Sequence, residues 1–102
     1  MVGKFRICVI TPNRFDHVIG LSTTAKALGK NVEIFFTGEG VHATQDPRFS
    51  QLVEFAKVSV CELSYISRGY KKEQLNCLAD KDFVTQIRKS DLVEDCERYI
   101  IL

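Results

Sequence analysis

Residues 31–38 read NVEIFFTG, and this octapeptide decides the fold. Val32, Ile34, Phe35 and Phe36 put apolar side chains on both faces of a short β-prone run. A strand exposed on one side would alternate apolar with polar, whereas two-sided apolarity marks a strand in a parallel sheet covered by helices. The glycine that follows turns the chain out of the sheet.

Upstream, KFRICVIT (residues 4–11) is a second run of this kind, with Phe5, Ile7, Cys8, Val9 and Ile10, and Pro12-Asn13 breaks it. Between the two runs Val18, Leu21, Ala25 and Leu28 recur at helical spacing. Asp16 is expected to cap this helix and Gly29 to end it. Downstream, GEGVHATQD (38–46) is expected to be a loop. A helix is expected from Pro47 with Phe49, Leu52, Val53 and Ala56 inward. KVSVC (57–61) is the third strand, and a short helix runs from Glu62 to Arg68, closed by Gly69.

The last third offers a short helix in KKEQLNCLA (71–79), a strand in DFVTQIR (82–88), a helix DLVEDC (91–96) capped by Ser90, and a final strand RYIIL (98–102). The alternation β-α-β-α-β-α-β-α-β predicts one three-layer α/β/α domain over residues 1–102. Its sheet is mainly parallel and five-stranded, flavodoxin- or Rossmann-like. In such sheets ligands and chemistry gather at the carboxyl ends of the strands. The loops TPNRF, TGEGVHA and CELS meet at that edge.

Composition narrows the function. The chain has 14 basic and 13 acidic residues, a net charge of +1 and no polybasic run. That pattern speaks against direct nucleic-acid binding and against a membrane surface. No apolar run reaches the roughly 18 residues of a membrane span, and no signal peptide is visible. A cytoplasmic setting with reduced thiols is expected for the four cysteines at 8, 61, 77 and 96. With no CxxC pair and with His17 and His42 far apart in sequence, a metal site is not expected.

Cys61 stands where the third strand hands over to a helix. A helix N-terminus directs N–H groups and a positive dipole end at such a sulfur and favours the thiolate, which is the nucleophile. Arg14, His17 or His42 would add positive charge, and Glu62 would oppose it. A small buried apolar residue is the competing reading of Cys61. Cys8 reads as an inert core residue, Cys77 as packing or a resolving thiol, and Cys96 as packing. Gly38-Glu39-Gly40-Val41-His42-Ala43 matches a GxGxxA dinucleotide fingerprint in part, but it follows the second strand, and Glu39 would repel a pyrophosphate. Glu39 and Asp46 have no evident partner in the sequence.

HVIGLSTTAKALGKNVEIFFTGEGV (17–41), KVSVCELSYISRG (57–69) and SDLVEDCERYIIL (90–102) together resemble the DsrE/DsrF/DsrH-like sulfur-relay family, which includes TusD- and TusC-type subunits. The resemblance spans nearly the whole chain and is strongest between His17 and Gly69. It implies a cytoplasmic α/β subunit that assembles into dimers, trimers or hexamers. It implies that Cys61 carries sulfane sulfur as a persulfide, as a sulfurtransferase-type carrier between a sulfur-donor and a sulfur-acceptor protein, with the loop Thr37, Gly38, Glu39 and Gly40 beside it. Sulfur transfer on a cysteine would need no organic cofactor. Two other readings stand beside this one: a non-catalytic assembly subunit with Cys61 buried, and a small-ligand or nucleotide-binding domain using TGEGVHA.

Overall fold

The computed structural model describes residues 4–75, 77–78, 82–84 and 98–102. Five parallel strands form one sheet: β1 (Lys4–Val9), β2 (Asn31–Phe36), β3 (Lys57–Cys61), β4 (Phe83–Val84) and β5 (Arg98–Ile101), in the order β4-β3-β2-β1-β5. The expected single α/β domain on a parallel sheet is what forms.

Register assigns the faces. Ile34 pairs with Ile7 and with Val58, and Phe36 with Val9 and Val60, so these side chains share one face. All six are almost completely buried. Two helices, α1 (Phe15–Ala27) and α2 (Phe49–Phe55), cover that face. Phe36 is fully buried with the Phe15 ring at 6.3 Å and the Phe49 ring at 5.4 Å. A third helix, α3 (Glu62–Ser67), packs its Tyr65 ring 5.3 Å from Phe83, which pairs with Val60 on the same side. The other face of β2, at Glu33 and Phe35, is half-buried rather than enclosed. An ion pair between Arg6 and Glu33 at 3.6 Å lies there, and the two residues are register partners.

Local structure departs from the sequence reading at definable points. α1 begins at Phe15, and the position ahead of it, Arg14, makes no side-chain cap. Asp16 lies inside the first turn and bonds Arg48 at 2.5 Å instead of capping. Pro12–Arg14 form a 3-10 turn capped by the Thr11 hydroxyl, which accepts from the Asn13 N–H at 3.1 Å. α2 starts two residues after Pro47, because Asp46 holds the preceding turn by accepting from the Arg48 N–H at 2.8 Å. Asp46 thus has a partner, and the Arg48 guanidinium beside it holds its carboxyl below the usual range. Gly29 and Gly69, both at positive φ, follow α1 and α3 as expected.

The expected loop after β2 is a 3-10 helix, Gly38–Gln45. Its Val41, Ala43 and Thr44 are buried, so it caps the carboxyl edge of the sheet. The expected helix at 71–79 is a 3-10 turn at Lys72–Gln74, held by the Tyr65 hydroxyl donating to the Lys71 carbonyl at 3.0 Å and by the Lys72–Glu62 ion pair. The expected strand at 82–88 is described only as β4. The helix at 91–96 with its Ser90 cap, and Cys96, lie outside the described residues. Among the described residues no helix is long and apolar enough to cross a membrane.

Gly40 is the tightest joint in this arrangement. A Cβ there would sit 2.1 Å from the Val9 carbonyl oxygen, and that oxygen accepts from the Thr37 N–H at 3.0 Å. Backbone cannot yield as a side-chain tip can, so only glycine fits. Gly40→Ala is expected to destabilise the fold by about 1–3 kcal/mol, the usual range for overpacking. Gly20→Ala, on the exposed side of α1 with open space around it, is expected to stabilise by about 0.5–1 kcal/mol. Urea denaturation of the two variants against wild type checks both signs.

Candidate functional site: the Cys61 thiol

Parallel pairing brings the ends of β2 and β3 level. Phe36 pairs with Val60, so Thr37 and Cys61 follow side by side at the carboxyl edge. Val60 is fully buried, and alternation sends Cys61 to the opposite, half-buried face. Cys61 is also the residue immediately preceding α3, in extended conformation with φ −67° and ψ 112°. A residue at that position sees the unpaired N–H groups of the first helical turn.

Cys61 makes no side-chain cap hydrogen bond to them. Partial burial pushes the Cys61 thiol up, but the polar groups near it, those of Ser64 foremost and then of Thr37 and Leu63, outweigh it. The net result is a thiol held below its ordinary range. The Ser64 hydroxyl oxygen accepts from the Gly38 N–H at 3.1 Å, which ties α3 to the loop after β2.

A polar chain continues along the seam between α3 and the 3-10 helix Gly38–Gln45. Arg68 donates to the Ser64 carbonyl at 3.1 Å and to the Glu39 carboxylate at 3.0 Å. Glu39 also meets His42 Nε2 at 3.0 Å, and His42 Nδ1 lies 2.6 Å from the Tyr70 hydroxyl. Tyr70 stacks on Tyr65 with ring centroids 5.1 Å apart. The Arg68 guanidinium, with help from His42, holds the Glu39 carboxyl below the usual carboxylate value. On the outer side of α3, Leu63 and Ile66 are 72% and 51% exposed.

The residues singled out in the sequence fall into two groups. Cys61, Thr37, Gly38 and Glu39 come together, and His42 joins them through Glu39. Gly40 serves the packing against Val9. Arg14 and His17 are exposed, and neither has a hydrogen bond or ion pair with Cys61 among the described residues. Cys8 is buried, as expected of a core residue. Cys77 is exposed and lines a cleft of about 330 Å³ with Asp46, Phe49 and Leu75. The GxGxxA match dissolves into local structure: Gly38 N–H is committed to Ser64, Gly40 to a backbone contact, and Glu39 to Arg68. Sequence reasoning passed over Ser64, Arg68 and Tyr70. The first two lie three and seven residues beyond Cys61, one and two helical turns on, and that spacing was the available signal.

Compared with known proteins, the chain matches no family model and no curated protein.

Because folding lowers the Cys61 pKa, the thiolate stabilises the folded chain. This contribution is present above the ordinary thiol value and is lost as pH falls through the folded value. Iodoacetamide alkylation of Cys61, followed by site-resolved mass spectrometry, is expected to rise with pH at a midpoint below that of a model thiol. Ser64→Ala should slow it about tenfold at pH 7, the lower end of what a hydrogen bond to a charged group contributes, since the sulfur is part exposed.

Proposed function

We propose that this chain is a small cytoplasmic sulfur-relay protein of the DsrE-like type, carrying sulfane sulfur as a persulfide on Cys61. The observation that carries the reading is a partly exposed thiol at the carboxyl edge of a parallel sheet, directly ahead of a helix, with polar neighbours that hold it below the ordinary thiol range. A packing cysteine gains nothing from an accessible edge position, whereas a nucleophilic thiolate needs both access and a lowered pKa.

The step needs no oxidant. The Cys61 thiolate attacks the outer, sulfane sulfur of a donor persulfide. A new S–S bond forms to Cys61, the donor's own S–S bond breaks, and the donor departs as a thiolate with the bonding electron pair. The outer sulfur arrives in the same oxidation state. An acceptor thiolate then attacks that sulfur, and Cys61 leaves as the thiolate its donors already favour. A leaving thiolate that is stabilised departs faster, so the same cradle serves both halves of the transfer.

The partners in this reading are a sulfur-donor protein and a sulfur-acceptor protein, and the chain works within a homo- or hetero-oligomer. Exposed Leu63 and Ile66 beside the thiol suit contact with another protein. No resident metal or organic group enters either half-reaction.

Incubation with a cysteine desulfurase and cysteine, followed by intact-mass analysis, is the direct test. Wild type should gain one sulfur, about 32 Da, removable by dithiothreitol. Cys61→Ser should gain none, and Cys77→Ser should load like wild type. Equal uptake by wild type and Cys61→Ser would remove Cys61 from the role.

A further inference from the structure

We infer that Glu39, His42 and Tyr70 form a nucleophilic centre of their own, in which a carboxylate-oriented imidazole activates the Tyr70 hydroxyl toward acyl groups of activated esters. The inference goes beyond the relay reading and does not involve Cys61.

The backbone beneath these side chains explains why they meet. Residues Gly38–Gln45 form a 3-10 helix, and three residues make one turn of it, so Glu39 and His42 stand one above the other. Buried Val41 and Ala43, on either side of His42 in the chain, hold this helix on the sheet, while the His42 side chain is 36% exposed. Gly69, at φ +88°, turns the chain after α3, and half-buried Tyr70 stacks on the Tyr65 ring at 5.1 Å. The His42 ring meets the Tyr70 ring edge to face at 5.5 Å.

Hydrogen-bond chemistry then decides which atom carries which proton. A carboxylate only accepts, so the Glu39 contact at 3.0 Å places the hydrogen of the neutral imidazole on Nε2. Nδ1 keeps its lone pair, and the Tyr70 hydroxyl, 2.6 Å away, donates to it. Arg68 bonds the other Glu39 oxygen at 3.0 Å and, with help from His42, holds that carboxyl below its usual range. A hydroxyl within reach of a base, with the base oriented by a third group, is the arrangement of an activated nucleophile. Tyr65 supplies the contrast. Its hydroxyl donates to the Lys71 carbonyl at 3.0 Å, which is no base, and burial pushes the phenol up.

The acyl step balances without a cofactor. The Tyr70 oxygen attacks the ester carbonyl carbon as its proton passes to His42 Nδ1. The bond from that carbon to the leaving oxygen breaks, and the leaving oxygen departs with the electron pair and takes the proton from His42. Water, deprotonated by the same imidazole, then hydrolyses the tyrosyl ester, releasing the acid and restoring the hydroxyl. Glu39 is the positioning residue: it orients the ring and stabilises the imidazolium in both halves.

The charged and titratable groups around His42 come from two sides. Glu39 shares its helix. From α3 and the chain beyond it come Tyr65, Arg68 and Tyr70, with Lys71 next in sequence, and Glu73 and Cys77 near Tyr65.

The experiment exposes the full chain to p-nitrophenyl acetate near neutral pH. Acetylation is followed residue by residue in acid-quenched time points by mass spectrometry, which separates Tyr70 from thiols and lysines. Wild type is compared with His42→Phe, which keeps a ring against Tyr70 but has no base, and with Glu39→Gln, and each is melted. Tyr70 should react about tenfold or more faster in wild type than in His42→Phe, since general bases contribute about 10²–10⁴-fold and a part-exposed one less. Glu39→Gln should slow the reaction about threefold or more, because a hydrogen bond to a charged partner is about twice as strong as one to a neutral partner. The wild-type pH profile should carry the titration of one group more than that of His42→Phe, which a purely structural His42 would not give. Three results overturn the inference: no acetyl on Tyr70 of wild type, equal Tyr70 rates in wild type and His42→Phe, or rates that fall only in proportion to lost folded protein. Should His42→Phe fail to fold, an unchanged Tyr70 rate in Glu39→Gln overturns it instead. The desulfurase assay judges the relay reading separately, whichever way this one falls.

Discussion

The pairing of Phe36 with Val60 is the constraint on which the site depends. It fixes the two strand ends level, so that Thr37 and Cys61 emerge together. Both partners are fully buried, with the aromatic cluster of Phe15, Phe36 and Phe49 packed against them. Slipping β3 by one residue against β2 would drive Ser59 into the core and turn Val60 outward. The thiol is therefore positioned by hydrophobic burial some residues away from it. Its own contacts add the electrostatics.

Two devices convert that placement into chemistry. The first is the close approach of Gly40 to the end of β1, which draws the 3-10 helix down over the sheet and brings Gly38 to Ser64. The second is the start of α3 directly after Cys61, which places the thiol at the first turn of that helix. Neither is strong alone. A six-residue helix has a weak dipole, and a single hydroxyl contributes one bond. Together they set polar groups around the partly buried thiol, which is held below its ordinary range.

The site lies two strands away from the place where the strand order reverses, between β1 and β5. Open α/β sheets commonly bind ligands at such a reversal. Here Leu102 pairs with Cys8 and Ile10 across it, so backbone occupies the head of that crevice.

Much of this was legible in the residues themselves. Two-sided apolar runs at 4–11 and 31–36 pointed to a parallel sheet, although helices shelter only the Ile34 and Phe36 face among the described residues and Phe35 stays half-buried. The change of period at Cys61 determined that a thiol would stand at a strand–helix joint. Glycines 29 and 69 determined where two helices stop. Tertiary structure alone decided which polar groups meet. Glu39 looks partnerless in sequence because Arg68 is 29 residues away, and His42 looks like a source of positive charge for the thiol although Glu39 and Tyr70 take both of its nitrogens. Periodicity reports which side of an element is apolar. It carries no information on which distant hydroxyl, amide or guanidinium the folded chain will bring within 3 Å, because those contacts arise only once the buried face has fixed the elements against one another.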